Sequence, residues 1–269
     1  MHLELPLASG PVWAATGGRR FNPPSPAHPL PAVLFLHGSG MDHTTWTPQA
    51  RWFAHHDRTV LAPDLPGHGR SAGPAITSVG GLAEMVICLL DAAGLAQVAL
   101  VGHSLGALVA LEAAAHFPDR VRAIGLIGVG PVMPVNPILL DAALNDLPQA
   151  AAMITAWAFG ARASFGPAPT PGQALTGIGR RILGSSRPGA LHADLTACNT
   201  YCDGLSAATR VRCPTVLILG EHDRMSPVKV GRTLAAAIVG SRTVVVPATG
   251  HMLPVEAPNA VLDALASFI

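Results

Sequence analysis

The sequence predicts an α/β fold built on a mostly parallel, doubly wound sheet, and two observations support this. Short apolar runs rich in leucine and β-branched residues alternate with longer, alanine-rich amphipathic segments along most of the chain. Near-continuous apolar runs are expected where helices cover both faces of a sheet. A regular alternation of strand and helix is typical of parallel sheets.

The elements follow from these patterns in chain order. Residues 2–16 carry Gly10 and Pro11 between two short apolar stretches, which predicts an antiparallel hairpin at one sheet edge. The next apolar runs predict strands at residues 32–36, 59–62, 98–101, 123–127, 215–219 and 243–246. The amphipathic segments predict helices at residues 46–56, 79–93, 105–116, 227–239 and 258–268. The hairpin supplies the first two strands, so residues 123–127 form the sixth and residues 215–219 the seventh.

Residues 131–209 interrupt the alternation, because they contain no convincing buried strand. Four segments there are predicted as helices separated by proline- and glycine-rich loops, at residues 138–147, 149–159, 172–183 and 190–201. Open α/β folds bind ligands at the carboxyl edge of the sheet, where this insertion would lie. Residues 131–209 are therefore predicted to form a helical lid, and residues 1–130 and 210–269 the core. The alternative is a larger, loop-rich part of the same domain.

Composition and charge argue against several classes of partner. Only 12% of the 269 residues are charged and the net charge is +1, which gives no electrostatic basis for binding nucleic acid or an anionic membrane. No apolar run reaches the roughly 18 residues of a membrane-spanning helix, and no basic N-terminal region precedes an apolar stretch. A cytoplasmic protein is expected. The four cysteines form no CxxC pair and are expected to act as small buried hydrophobic residues.

The clearest chemical motif is Gly102-His-Ser-Leu-Gly106, at the junction of a predicted strand and an alanine-rich helix. A serine on such a sharp turn needs small residues two positions before and after it, and the two glycines supply them. The turn would project the Ser104 hydroxyl above the sheet and aim the helix N-terminus at the reacting centre. Ser104 is therefore the predicted nucleophile.

A serine nucleophile needs a base, and the base needs an acid to orient it. Beyond Ser104, one apolar strand ends at Gly220 and is followed by the acids Glu221 and Asp223, while the next strand leads to His251. The order serine, acid, histidine, each after a strand, is the order expected for this kind of sheet. His251 is the predicted base, and the spacing leaves both acids open.

These motifs resemble those of the α/β-hydrolase superfamily, in its lid-bearing serine hydrolase and esterase branch, over nearly the whole chain. The resemblance lies in His37-Gly-Ser-Gly40, Asp64-Leu-Pro-Gly-His-Gly-Arg-Ser71, Gly102-His-Ser-Leu-Gly106, Gly220-Glu-His-Asp223 and Gly250-His251. It implies the α/β-hydrolase fold with the helical lid between the sixth and seventh strands. Within that resemblance, Asp223 rather than Glu221 matches the position of the acid.

The same resemblance implies further roles. The backbone N–H groups of Ser39 and Leu105 would form the oxyanion hole, and His37 would anchor its loop. The segment from Asp64 to Ser71 would hold the loop between strand and helix, with Asp64 and Arg70 able to pair.

Four aromatic residues of the predicted lid are candidates to line an acyl or alcohol pocket: Trp157, Phe159, Phe165 and Tyr201. Aromatic residues in helices are, however, more often part of the core.

The function indicated is a serine hydrolase that cleaves a small, largely apolar carboxylic ester or lactone through an acyl-enzyme. Amide, thioester and C–C bond hydrolysis are alternatives with the same triad, although C–C hydrolases usually carry tryptophan where Met252 follows His251. A ligand receptor on the same fold is an alternative of another class. No cysteine, histidine and acid cluster has ligand spacing and no glycine-rich phosphate loop occurs, so no metal or cofactor is expected. The expected partner is a small-molecule ester, and no oligomeric state is predicted.

Overall fold

A computed structural model describes residues 1–24, 30–161, 163 and 174–269. Within them, one sheet of eight strands has the order β1-β2-β4-β3-β5-β6-β7-β8. The strands are β1 His2–Leu5, β2 Val12–Ala15, β3 Ala32–Leu36, β4 Thr59–Pro63, β5 Val98–His103, β6 Val121–Ile127, β7 Thr215–Gly220 and β8 Arg242–Val246. The predicted mostly parallel sheet is confirmed, since every neighbouring pair from β4 to β8 is parallel. The predicted edge hairpin is also present, as β1 pairs antiparallel with β2 and β2 with β4.

Helices cover both faces of the sheet, and the central strands are apolar on both sides for that reason. In β3, Leu34 and Leu36 face one buried cluster while Val33 and Phe35 face another. The first cluster includes side chains of α2 (Val79–Ala92), α3 (Leu105–His116) and α9 (Val228–Ala237). The second includes side chains of α1 (Thr47–Ala54) and α11 (Pro258–Ala266). Because both faces of such a strand are buried, its residues do not alternate between polar and apolar, which explains the continuous apolar runs.

Between β6 and β7 the chain forms helices α4 (Pro137–Asn145), α5 (Leu147–Ala158), α6 (Leu175–Gly184), α7 (Ala190–Thr200) and α8 (Gly204–Arg210). Most of them share a third apolar cluster, which also contains Met41 and Met252 from the loops above the sheet. This cluster lies over the carboxyl ends of the strands and covers the candidate active site. We call residues 131–209 the insert. The start of the helix predicted at 172–183 falls on residues 172 and 173, outside the described residues.

Two short helices are not predicted from the sequence, α8 and α10 (Leu253–Glu256). Both are too short to show a helical period, and α10 has a proline at its second position. Single 3₁₀ turns at His43–Trp46 and Pro118–Arg120 are likewise not predicted. None of the described helices is both long and apolar enough to cross a membrane.

The register of the parallel strands brings the motif-bearing loops together. Leu36, the last residue of β3, pairs with Gly102 in β5, so the loop that starts at His37 lies beside Ser104. On the other side, Gly220 at the end of β7 pairs with Val246 at the end of β8. The loops that carry Asp223 and His251 therefore leave the same edge of the sheet.

Candidate active site

Ser104 lies on a strained turn between β5 and α3. Its backbone dihedral angles are φ 54° and ψ −117°, a conformation that residues other than glycine rarely adopt. Its amide donates a hydrogen bond of 2.9 Å to the carbonyl oxygen of Ile127, which ties the turn to the neighbouring strand. The side chain is 7% exposed and lines a cavity. The structure therefore places the predicted nucleophile on the predicted turn.

The two glycines of the motif are required by close backbone contacts. A Cβ atom on Gly102 would lie 2.0 Å from the carbonyl oxygen of Gly106, and one on Gly106 would lie 2.3 Å from that of Leu36. Backbone atoms cannot move aside as the end of a side chain can, so any larger residue would force the turn apart. The strained turn can therefore form only because glycine occupies both of these positions.

His251 and Asp223 form a buried pair. His251 Nδ1 donates to Asp223 Oδ2 at 2.8 Å, and the two side chains are 3% and 0% exposed. Burial alone would raise the pKa of Asp223, but the His251 charge and hydrogen bond, together with the amides of Ser226 and Met225, hold it below its usual value. The carboxyl group is therefore ionised at neutral pH and fixes the proton of His251 on Nδ1.

The other ring nitrogen of His251, Nε2, is buried and has no hydrogen-bond partner among the described residues. It carries no proton in this tautomer, and so it can accept one. Ser104 and His251 line the same cavity, although the described atoms include no hydrogen bond between them. In structures without substrate, such catalytic contacts are often long and shorten in the complex.

His103, next to the nucleophile, holds the backbone of His251. Its Nε2 donates to the carbonyl oxygen of His251 at 2.9 Å. Burial is the larger cause and the nearby His251 the smaller cause that lower the pKa of His103 to about 3. His103 is therefore neutral and acts as a fixed donor.

Glu256 organises the loop that carries His251. Its Oε2 accepts the amides of Gly250 at 3.1 Å and Gly160 at 2.9 Å, and its Oε1 accepts the amide of Met252 at 3.1 Å. The amide of His251 itself donates to the carbonyl oxygen of Ala158, at the end of α5. The insert thus helps to position the predicted base.

The loop after β3, here called the oxyanion loop, carries Ser39, one of the two predicted oxyanion donors, and the other, Leu105, is the first residue of α3. Among the described residues, neither the Ser39 nor the Leu105 amide donates a hydrogen bond, so each remains an unused donor. His37 anchors the loop as predicted: its Nε2 accepts the amide of Leu65 at 3.0 Å, and Nδ1 donates to the carbonyl oxygen of Gly38. Burial lowers the pKa of His37, which keeps it neutral.

A carboxylate from the insert holds the far end of this loop. Asp194 Oδ2, on α7, accepts the amide of Gly40 at 2.8 Å and a hydrogen bond from His68 Nε2 at 2.9 Å. His68 Nδ1 donates to the carbonyl oxygen of Pro66. Because both partners of the ring are acceptors, His68 is an imidazolium. Burial alone would lower the pKa of His68, but the charge and hydrogen bond of Asp194 raise it above its usual value.

The cavity above Ser104, here called the nucleophile cavity, has a volume of about 360 Å³. Most of its walls are apolar side chains of the insert and of the loops after β3 and β8, including Met133, Leu139, Ile154, Leu195, Met252 and the predicted Trp157. Asn136 and Arg224 are the polar residues that contribute to it beyond the groups around Ser104. The arrangement suits an apolar substrate with one polar reacting group.

Residues 33–264 match the model of the alpha/beta hydrolase family. The chain belongs to this family. The predicted α/β-hydrolase fold is thereby confirmed, and membership supports a hydrolase activity.

Individual relatives agree with this assignment. An uncharacterised protein of Mycobacterium tuberculosis is 30% identical over 267 residues, covering 89% of this chain and 75% of the relative. The pimeloyl-(acyl-carrier protein) methyl ester esterase of Chromobacterium violaceum is 30% identical over 215 residues, covering 77% of this chain and 82% of the relative. The crystal structure of the enol-lactonase from Burkholderia xenovorans superposes with a TM-score of 0.87 at 21% identity, over 99% of both chains. At that identity the likeness shows the fold alone.

Two of the aromatic residues predicted to line the pocket lie elsewhere. The hydroxyl of Tyr201 donates to Glu112 Oε2 at 2.7 Å, so this ring is fixed against α3 in the core. Phe159 is buried against Gly179 of α6 and borders a different cavity. Tyr201 is therefore a core residue, and neither side chain lines the nucleophile cavity. Phe165 lies outside the described residues.

The predicted pairing of Asp64 with the Arg70 side chain is also corrected. Asp64 accepts the backbone amide of Arg70 instead, while its other oxygen accepts the backbone and ring nitrogens of His43. The guanidinium of Arg70 lies 4.8 Å above the Trp13 ring. The exposed cation gains from the aromatic face, and the buried carboxylate is satisfied by two amides and the His43 ring.

Glu221, the acid that spacing alone left open, lies away from His251. Its side chain is 53% exposed, and its Oε2 accepts the amide of Ala248 at 2.8 Å. It braces the turn after β8 and does not contact the base.

A cluster of Asp42, His43 and Asp64 has ligand atoms close enough together to hold a metal ion. These atoms already have partners, because Asp64 binds His43 and Asp42 accepts the backbone amide of Thr44. The cluster therefore has an adequate explanation as a cap of the 3₁₀ turn at His43–Trp46.

Asp194 and Glu256 are the site residues that sequence reasoning missed. Neither lies in a motif, and each acts by accepting backbone amides from a loop distant in sequence. A single acid in an amphipathic helix gives no signal of that kind. His68 offered a partial signal, since it lies within a recognised motif and is buried with a partner from the insert.

Proposed function

We propose that this chain is a serine hydrolase that cleaves a small, largely apolar carboxylic ester or lactone through an acyl-enzyme. The observation that carries the proposal is the buried His251–Asp223 pair: Nε2 of His251 has no hydrogen-bond partner among the described residues, and His251 lines the cavity that contains Ser104. The strained turn of Ser104 supports the same assignment, since strain of this kind is concentrated at reactive positions.

The reaction begins when the Ser104 hydroxyl attacks the substrate carbonyl carbon and His251 Nε2 takes its proton. A new bond forms between Ser104 Oγ and the carbonyl carbon, and the carbonyl oxygen becomes an oxyanion. The amides of Ser39 and Leu105 are the donors for it, and each such donor typically contributes about 3–4 kcal/mol in the transition state. Asp223 stabilises the imidazolium that forms.

In the next step the bond between the carbonyl carbon and the leaving oxygen breaks. His251 gives its proton to that oxygen, and the alcohol leaves. Water then attacks the acyl-enzyme, with His251 again as base, and releases the acid and the free serine.

The apolar walls of the nucleophile cavity favour an apolar ester or lactone. Their names indicate that the related methyl ester esterase acts on an ester and that the enol-lactonase with the same fold acts on a lactone. Arg224 and Asn136 line the cavity and can bind a polar end of the substrate.

The test is hydrolysis of p-nitrophenyl acetate and butyrate. We expect the wild type to hydrolyse at least one of them over many turnovers, and Ser104→Ala to lower kcat by at least about 10³-fold, because the nucleophile is lost. Ser206→Ala, an exposed serine on α8, is the matched control and should retain full activity.

Activity that survives in Ser104→Ala would contradict the nucleophile assignment. Saturable binding of the esters to the wild type without turnover would favour a receptor instead of an enzyme.

A further inference from the structure

A second cavity of about 320 Å³ lies beside the nucleophile cavity. It is enclosed by the 3₁₀ turn at His43–Trp46 and the start of α1, by α6 of the insert, and by α10. Apart from three threonines and Gly179, its lining consists of apolar side chains, among them Phe159, Leu175 and Ile178. Its size falls within the range of about 300–1,000 Å³ found for ligand pockets. The proposed chemistry assigns this second cavity no role.

The two cavities share a wall of two methionines. Met41 and Met252 are the described residues that line both. Met41 directly follows the oxyanion loop at Gly40, and Met252 directly follows His251. Both side chains are buried, at 5% and 3% exposure, and so they fill the space between the cavities.

A wall of this composition can open without movement of the backbone. Methionine has three rotatable side-chain bonds and no branch, and it adapts its shape more readily than other apolar residues. The backbone on each side is fixed independently: Gly40 is held by Asp194, and the amide of Met252 by Glu256. Rotation of the two side chains would join the cavities into one apolar channel that begins at Ser104.

We propose that the second cavity receives the distal part of a medium- or long-chain acyl group, which passes between Met41 and Met252 while its carbonyl carbon is bonded to Ser104. This inference rests on the proposed function and specifies its substrate class.

The order of the chemical steps favours the acyl group over the alcohol as the occupant. The alcohol must leave before water can attack the acyl-enzyme, so an alcohol chain seated behind the methionines would delay each turnover. The acyl chain stays attached to Ser104 until that water arrives. A chain held in the second cavity also leaves the side of the nucleophile cavity at Asn136 and Arg224 open to water.

The experiment compares kcat/KM over p-nitrophenyl acetate, butyrate, octanoate and decanoate in the wild type and in Ile178→Trp. Ile178 lines the second cavity but not the nucleophile cavity. Its side chain is 40% exposed, so the protein can accommodate the larger tryptophan ring without unfolding. We expect Ile178→Trp to lower kcat/KM for decanoate by about tenfold or more and to leave acetate nearly unchanged, because only the long chain meets the added bulk.

Leu144→Trp is the matched control. It introduces the same side chain at an exposed position of another insert helix that lines neither cavity. Its chain-length profile should equal that of the wild type.

Met41→Ala and Met252→Ala test the wall itself. Each should raise the ratio of decanoate to acetate kcat/KM relative to the wild type by about tenfold, since the passage becomes wider. The ratio is informative even where a variant lowers both activities, because both substrates react at the same serine.

An equal effect of Ile178→Trp on all four esters, or an unchanged ratio in both methionine variants, would overturn the inference. So would a response seen with alkyl acetates of increasing alcohol length but absent with the acyl series. If short esters are hydrolysed in a Ser104-dependent manner in those cases, the proposed function stands and only the acyl channel fails. Absence of any Ser104-dependent hydrolysis would instead refute the proposed function.

Discussion

At the scale of single residues, the site is defined by which ring nitrogen of each histidine carries the proton. His251 carries its proton on Nδ1 and donates it to Asp223, and His103 carries its proton on Nε2 and donates it to a carbonyl oxygen. His68 donates from both nitrogens, to Asp194 and to a carbonyl oxygen. These states follow from the partners of each ring. One histidine is therefore a base, one a neutral donor and one a cation whose pKa is raised, although the sequence shows three identical letters.

We expect Asp223→Asn to lower kcat by roughly 10²–10⁴-fold, because an amide can present its NH₂ group to Nδ1 and so favour the wrong tautomer of His251. In the wild type, kcat/KM should fall as the pH is lowered, because a general base acts only in its unprotonated form, which gives an acid limb in the pH–rate profile. The measurement is kcat/KM for p-nitrophenyl butyrate between about pH 4 and 9.

Glu221→Gln provides the comparison for this variant. If the acid were Glu221, that substitution and not Asp223→Asn would cause the loss. A rate that stays constant down to about pH 4 would count against a histidine base.

At the scale of elements, the sequence predicts best where one pattern continues for several residues. The helix from Leu105 to His116 is predicted with its observed bounds, because an alanine-rich run begins immediately after the motif. Most other predicted helices differ by at most two residues at their ends, where local capping decides, while the helix predicted at 172–183 begins three residues later, at Leu175. The contacts between elements were not predictable, since Asp194 and Glu256 bind backbone amides that any sequence would offer.

The contact of α7 with the oxyanion loop leads to a prediction about rate. We expect Asp194→Ala to lower kcat by about 10–100-fold with a smaller change in KM, because the loop amides matter most when the oxyanion forms. Asp194→Asn keeps one acceptor for Gly40 and should recover part of the loss. The measurement is the separate determination of kcat and KM for p-nitrophenyl butyrate.

Asp203→Asn, an exposed acid in the same insert, should behave as the wild type. Equal changes in kcat and KM among folded Asp194 variants would indicate that Asp194 does not position the loop.

At the scale of the whole molecule, two buried groups make the free energy of unfolding depend on pH in opposite directions. Burial alone would raise the pKa of Asp64, but hydrogen bonds from His43 and from the Arg70 amide hold it below its usual value. The stability that it contributes is present above its unfolded pKa of about 3.9 and is lost as the pH falls through the lower folded value. The pKa of His68 is raised, so its contribution is present below about pH 6.5 and is lost as the pH rises through the higher folded value.

The buried His37 and His103, whose pKa values are lowered, also lose their contribution as the pH falls below about 6.5, because the unfolded chain then binds protons that the folded protein does not. We therefore expect the melting temperature to be highest near about pH 6.5 and to decline on both sides. In His68→Gln the decline on the alkaline side should become shallower, because the group that loses its proton there is absent. The measurement is Tm as a function of pH for the two proteins. An alkaline decline of equal slope in both would show that His68 does not contribute to it.

The overall architecture was the most predictable property, because a sheet covered on both faces requires a continuous apolar run in every central strand. The arrangement of Ser104, Asp223 and His251 at one edge was predictable in order, and the register of β3, β5, β7 and β8 explains why. The assignment of pocket residues was not predictable. Trp157 and Tyr201 look alike as aromatic residues of helical segments, and only their partners in space distinguish a wall from the core.

The hydrogen bond from the His251 amide to Ala158, and the sharing of Glu256 between Gly160 and Gly250, join the end of α5 to the loop of the base. The insert therefore cannot be exchanged for that of a relative without loss of these hydrogen bonds. A chimera that exchanged the whole stretch between β6 and β7 for that of a relative would replace one half of this junction and keep the other. Recombination that carries residues 158–160 together with residues 250–256 would preserve it, while the segments that face the cavities could diverge freely.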